Sequence, residues 1–222
     1  MNDQDIQYVT QLIVCHRQIS ECNLSEMLRK MEITEDPNDL VSTINQRLAH
    51  INLKVVKTCC ELTDERFYVI IPLTFKEETF KSSFTDSELV FFKKIIMFIL
   101  ESRAGTISTD IIDNLMQETQ ISSTGVDALI LRLAREKYVM KVDEELALTA
   151  LCVAEFSTFL KINFEHLINV CKLCSNIIIK GVKCRSCESL CHKYCLNMLF
   201  ANQRTKKCPE CRELWNDPAI EE

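Results

Sequence analysis

Eight residues between positions 171 and 211 have the types and spacing to hold metal: Cys171 and Cys174, Cys184 and Cys187, His192 and Cys195, Cys208 and Cys211. Each pair encloses two residues, the spacing at which two side chains turn onto one ion while backbone N–H groups point at the thiolates. Eight ligands fill two tetrahedral sites, so no position is left for a catalytic water and the expected role of the metal is structural. The cofactor expected is therefore two Zn²⁺ ions. Nine residues separate the first two pairs, four separate Cys187 from His192, and twelve separate Cys195 from Cys208. The short middle linker favours a cross-brace. In that wiring Cys171, Cys174, His192 and Cys195 hold one zinc, and Cys184, Cys187, Cys208 and Cys211 hold the other.

This is the RING or PHD ligand order. A disulfide framework would use the same cysteines, but the opening MNDQDIQYVTQL has no charged segment leading into an apolar one, so nothing routes the chain to an oxidising compartment. Cys191 adjoins His192 and competes with it as a ligand; only His192 stands at pair spacing from Cys195. Cys191 is then a spare thiol packed beside the metal. Cys15, Cys22, Cys59, Cys60 and Cys152 have no partner at ligand spacing and read as buried or half-buried small hydrophobes.

The remaining sequence must position this module. With 222 residues, 47% of them hydrophobic, the chain can bury two or three small cores, and only 3 Gly and 4 Pro point to helices with tight connections. The longest apolar run, Leu89 to Leu100, is broken by Lys93 and Lys94 and is too short for a bilayer, so no membrane is expected. Residues 1–168 carry 17 basic and 26 acidic side chains, while 169–222 carry 9 and 6. A body at net −9 should be repelled by nucleic acid, and no strong direct DNA binding is expected.

Helical spacing at Ile6, Val9 and Ile13, a short helix around Leu24 to Met31, and a third with Leu40, Ile44, Leu48 and Ile51 on one face precede two β-rich runs joined at Thr63 to Glu65. Three helices and a hairpin make a winged-helix pattern. The order recurs: a helix from Asp86 to Glu101 capped by Thr85 or Asp86, a second from Ser108 or Thr109, a third with Val126, Leu129, Ile130 and Leu133, then a hairpin tipped by Asp143 to Glu145. One further amphipathic helix, with Val153, Phe156, Leu160 and Phe164, should tie the body rigidly to the zinc module. The expected fold is mainly α with small β hairpins (α+β): winged helix one at 1–75, winged helix two at 84–150, a linking helix at 151–168 and a cross-brace RING-like zinc domain at 169–215. The apolar content of Leu89 to Leu100 also suggests surplus surface for a partner.

Tandem winged helices followed by CKLC, CRSC, CHKYC and CPEC in order resemble non-SMC element one, the RING subunit family of the SMC five–six chromosome-maintenance complex. That resemblance spans essentially the whole chain. It implies a nuclear, chromatin-associated ubiquitin ligase subunit working in DNA repair and recombination, bound to a MAGE-family winged-helix subunit, a kleisin subunit and a ubiquitin-conjugating enzyme. On the RING pattern, Leu173 inside the first pair and Pro209 inside the last are contacts for the conjugating enzyme, and Arg212 is the cation after the final ligand. Two other roles fit the ligand order: a non-catalytic scaffold, and a PHD-type reader of histone tails. A reader usually has an aromatic residue two positions before the last pair, where this chain has Lys206.

Overall fold

A computed structural model describes residues 3–215 except 77, 79–81, 120, 202 and 204, so part of the polar stretch between the two winged helices lies outside the described residues. Helix α1 (Asp3–His16) buries Ile6, Val9 and Ile13 at helical spacing. Helix α2 (Glu21–Lys30) starts at Ser20, whose hydroxyl accepts from the Asn23 N–H. Asp36 caps α3 (Pro37–Leu48) and Pro37 occupies its first turn; Leu40, Val41, Ile44 and Leu48 face the core. Ile51, expected on that face, is 64% exposed, because the helix tightens into a 3-10 turn at Ala49–Ile51 and rotates the residue outward.

Strands β2 (Leu53–Cys59) and β3 (Arg66–Pro72) pair antiparallel from Leu53 with Pro72 to Cys59 with Arg66. A third strand, β1 (Gln18–Ser20), joins β3 and gives the order β1-β3-β2. Ile19 is buried in this strand. The sheet is covered on both faces. Val55, Tyr68 and Ile70 pack with the three helices, whereas Val69 and Ile71 meet Leu151 on the other side, which explains the unbroken apolar run from Phe67 to Ile71.

The second unit repeats the plan. Helix α4 (Asp86–Glu101) begins in a capping box between Thr85 and Glu88. Then come β4 (Thr106–Ile107), α5 (Thr109–Thr119), α6 (Ser123–Arg135), β5 (Val139–Val142) and β6 (Glu145–Leu148), with strand order β4-β6-β5. Val142 faces Glu145 across a two-residue turn in which Asp143 and Glu144 have φ 48° and 68°, the geometry of a tight hairpin. Phe91, Phe92, Ile95, Ile96 and Ile99 are all fully buried in this unit's core, and Leu89, Met97, Phe98 and Leu100 pack against it. The apolar helix thus fills its own core, and within Leu89 to Leu100 only Val90, 47% exposed, is left as a large apolar surface residue. No helix among the described residues is long and apolar enough to cross a membrane.

The expected linking helix is two short ones, α7 (Ala150–Glu155) and α8 (Ser157–Asn163), which meet at Phe156 with φ −93° and ψ 13°. The bend lets Phe156, Phe159, Leu160 and Phe164 enter the second core while Leu151 reaches the first sheet. Beyond them, β7 (Asn169–Val170) pairs with β8 (Ile177–Ile178), β9 (Val182–Lys183) pairs with β10 (Leu190–Cys191), and α9 (Lys193–Phe200) follows. Ile177 belongs to the second winged helix's core, so the zinc module is rooted in the body. Of the cysteines read as packing residues, Cys60 and Cys152 are buried and Cys59 is half-buried, but Cys15 and Cys22 are exposed on α1 and α2. Helical phase decides this: both lie off the faces defined by Ile13 and Leu24.

Candidate metal centre

Three of the four ligand pairs share one backbone design. The N–H groups of Ser175, Glu188 and Arg212 donate to the carbonyls of Cys171, Cys184 and Cys208 at 2.8, 3.0 and 3.1 Å. The N–H groups of the same three cysteines donate to Asn176, Ser189 and Glu213 at 2.9, 2.9 and 2.8 Å. Closing so tight a loop forces the residue after each pair into the left-handed region, with φ 59°, 62° and 65° at Ser175, Glu188 and Arg212. The fourth pair is built otherwise. His192 is the N-terminal boundary of α9 and Cys195 lies in its first turn, so a helix rather than a knuckle brings both to one side.

The eight side chains form the two sets expected of a cross-brace: Cys171, Cys174, His192 and Cys195, then Cys184, Cys187, Cys208 and Cys211, the ligand atoms of each within 4.8 Å of one another. A tetrahedral zinc with Zn–S of about 2.3 Å sets sulfur–sulfur edges of about 3.8 Å and sulfur–nitrogen edges of about 3.6 Å. Cys184 and Cys211 are 3.8 Å apart and Cys187 and Cys208 3.7 Å. His192 Nδ1 is 3.3 Å from Cys174 Sγ and 3.6 Å from Cys195 Sγ. Both sets therefore fit zinc without rearrangement. His192 Nε2 donates to the Ile177 carbonyl at 2.9 Å, which fixes the tautomer and leaves Nδ1 free to ligate.

Hydrogen bonds from the surroundings favour the thiolate at Cys171, Cys187 and Cys208, whereas burial and the neighbouring thiols hold Cys174, Cys195 and Cys211 above the ordinary range. Burial opposes ionisation of Cys171, yet N–H groups of His192, Cys174 and Leu173 bring its thiol down to about 7. Cys187 is lowered to about 6 by the Ser189 hydroxyl and N–H, the hydroxyl lying 3.1 Å from its sulfur. Ser189 is a supporting residue that pair spacing does not reveal; it also reaches Cys208 at 3.5 Å from a buried position. Cys191 stays outside both sets. Burial, with Cys171 beside it, pushes its thiol up to about 12, so it is inert packing.

Around the metal sets, Leu173 is 36% exposed, Pro209 half-buried and Arg212 exposed. Lys172 and Glu210 pair at 3.7 Å, joining the first and last knuckles. Trp215 is 5% exposed and packs on Phe200 with ring centroids 6.1 Å apart. It anchors the core under α9.

Two winged helices in series with a cross-braced double zinc site define a RING-like winged-helix protein. Residues 171–211 match the RING-like domain family, and residues 6–152 match the family described as Nse1 non-SMC component of SMC5-6 complex. The chain belongs to the Nse1 family. It is 22% identical to the non-structural maintenance of chromosomes element 1 homolog of Bos taurus over 92% of this chain and 81% of that one. The human homolog is 20% identical over the same shares, and that of Drosophila melanogaster is 31% identical over 36% of this chain and 34% of its own. Among solved structures, a chain of an Nse1-Nse3-Nse4 complex superposes with a TM-score of 0.75 at 20% identity, covering 98% of both chains.

Proposed function

We propose that this chain is a RING-type ubiquitin ligase subunit of an SMC5-6 chromosome-maintenance complex, acting in the nucleus in DNA repair beside an Nse3-like MAGE subunit and an Nse4-like kleisin. Such a ligase forms no covalent intermediate. It binds a ubiquitin-charged conjugating enzyme and holds the thioester in a reactive orientation, so its contribution is geometric. The observation that supports this reading is the Lys172–Glu210 pair, which joins the first and last knuckles beside the exposed Leu173, next in sequence after Lys172, and the half-buried Pro209, just before Glu210. Arg212 is exposed one residue beyond the last ligand, where a planar set of donors can bond both the enzyme and ubiquitin. Leu173→Ala is expected to weaken conjugating-enzyme binding roughly tenfold, as loss of about 1–2 kcal/mol of apolar contact implies. Arg212→Ala should leave binding nearly intact and slow discharge. Single-turnover discharge across several conjugating enzymes, with the MAGE-type partner present, measures both. If the wild-type chain accelerates none, the scaffold role replaces the ligase.

The winged helices serve protein assembly in this reading. On α3, Arg47 pairs with Asp3 at 2.6 Å, and on α6, Arg132 pairs with Glu88 at 3.1 Å and lies over the Phe84 ring. The second wing ends in Asp143 and Glu144, and the first is held against the zinc module by Glu61 and Asp64. Arg47 and Arg132 are thus engaged within the chain, which supports protein assembly over phosphate contact. Fluorescence anisotropy of the full chain with duplex DNA is expected to give no salt-sensitive submicromolar binding.

A further inference from the structure

The turn between β2 and β3, the wing of the first winged helix, carries a half-buried carboxylate near its start. Glu61 is only 12% exposed, and its carboxylate accepts three consecutive backbone N–H groups: Ile179 at 2.7 Å, Lys180 at 3.1 Å and Gly181 at 2.9 Å. These belong to the loop between β8 and β9 of the zinc module, 118 to 120 positions away in sequence. Consecutive N–H groups converging on one point, with the last residue at φ +30°, form a nest, a backbone concavity that selects anions. The loop cannot easily be rebuilt. A Cβ on Gly181 would meet the Ile178 side chain at 2.5 Å and the Cys191 carbonyl at 3.4 Å.

The flanks close the contact. Asp64 pairs with Lys193 at 3.1 Å, the Arg66 guanidinium lies 5.8 Å from the Tyr194 ring centroid, and His192 Nε2 is 3.7 Å from the Glu61 carboxylate. Leu62 and Ile179 both crowd Gly105 of the second winged helix, so the three units meet at this wing.

The geometry points to a carboxylate receptor at residues 179–181, whose occupant is Glu61, and to this contact as what sets the orientation of the zinc module on the body. Charge-assisted bonds to an anion are about twice as strong as neutral ones, and two of the three here are partly buried. The linking helices attach the module; the wing aims it. Nothing in this depends on ligase activity.

The test uses the zinc-loaded full chain. In Glu61→Ala, amide exchange at Ile179, Lys180 and Gly181 should accelerate at least about tenfold. Residual dipolar couplings of the zinc module should cease to fit the body's alignment, while the zinc content stays at two. Glu61→Gln should fail almost as badly, because its amide presents a donor to a nest of donors. Formate added to Glu61→Ala at about 100 mM should shift the three amide resonances back toward their wild-type positions, since the nest selects small anions. Gly181→Ala is the independent variant and should lose the same alignment from the other side. Unchanged exchange and alignment in Glu61→Ala would overturn the assignment, as would full retention of both in Glu61→Gln or a formate response as large in the wild type as in Glu61→Ala. Loss of zinc in Glu61→Ala would also overturn it, by making the residue part of the metal site's folding.

Discussion

Cys184→Ser is expected to cost the zinc module its metal and unfold it while the winged-helix body stays folded. Cys184 is buried, and its sulfur lies 3.8 Å from that of Cys211 in the second ligand set. A serine hydroxyl does not ionise in this range and is a poor zinc ligand, so the site keeps three ligands and a gap. The apolar core beneath it is small. Apart from the ligands and Cys191, its buried members are Ile178, Leu196, Phe200 and Trp215. Such a core cannot offset the entropy of ordering a module this size, whereas a structural zinc supplies apparent binding energy on the order of 10–16 kcal/mol. Losing most of one such term exceeds any margin the module has. Among the described residues, the body's cores contain no ligand, and Ile177 is the one buried residue that the zinc module lends to them. Elemental analysis should fall from two zincs per chain toward none, because α9 carries His192 and Cys195 of the other ligand set. Amides of α9 should exchange at near-unfolded rates while those of α3 and α4 remain protected. Two retained zincs, or a protected α9, would contradict the assignment.

The ligand sets were readable from sequence because pair spacing and linker length are local quantities that metal geometry constrains directly. Helices with a strong apolar period were readable for a similar reason: Leu40, Ile44 and Leu48, or Val126, Leu129 and Leu133, mark a face without knowledge of what covers it. Strands of two or three residues were not. Gln18–Ser20 and Thr106–Ile107 are too short to show alternation, and each exists because a longer strand nearby has an edge to pair. Exposure of Ile51, Cys15 and Cys22 depends on where a helix ends or how it is turned, and the bend at Phe156 on two cores competing for one helix's side chains. Least readable were the contacts between units. Glu61 is one acidic residue in a polar turn, and its partners are backbone groups, which leave no signature in side-chain type. Arg17 is a second case.

Arg17→Ala is expected to destabilise the body by about 2–3 kcal/mol, below the 3–5 kcal/mol typical of breaking a fully buried pair because the arginine is partly solvated. Arg17 follows α1 and reaches into the second unit. Its guanidinium donates to the Glu136 carbonyl at 2.9 Å, the Tyr138 hydroxyl at 3.0 Å and the Glu155 carboxylate at 3.0 Å. The arginine side chain is 33% exposed and that of Glu155 14%. The backbone at Arg17, φ 57°, is equally strained with alanine, so the loss belongs to the side chain. What remains after substitution is a buried carboxylate with only the Tyr138 hydroxyl, 3.3 Å away, to hold it. Burial already raises the Glu155 carboxyl above its ordinary range despite the guanidinium, and removing that charge raises it further. A carboxyl whose folded value lies above its unfolded one favours the native state once protonated and disfavours it as pH rises through the folded value. The stability deficit of Arg17→Ala should therefore narrow between pH 7 and pH 5, and adding Glu155→Gln should recover much of it at pH 7. Urea midpoints followed by far-ultraviolet circular dichroism in zinc-containing buffer measure each quantity. A deficit that is the same at both pH values, with no recovery in the double variant, would show that Arg17 acts through packing of its stem and not through the charge it brings to Glu155.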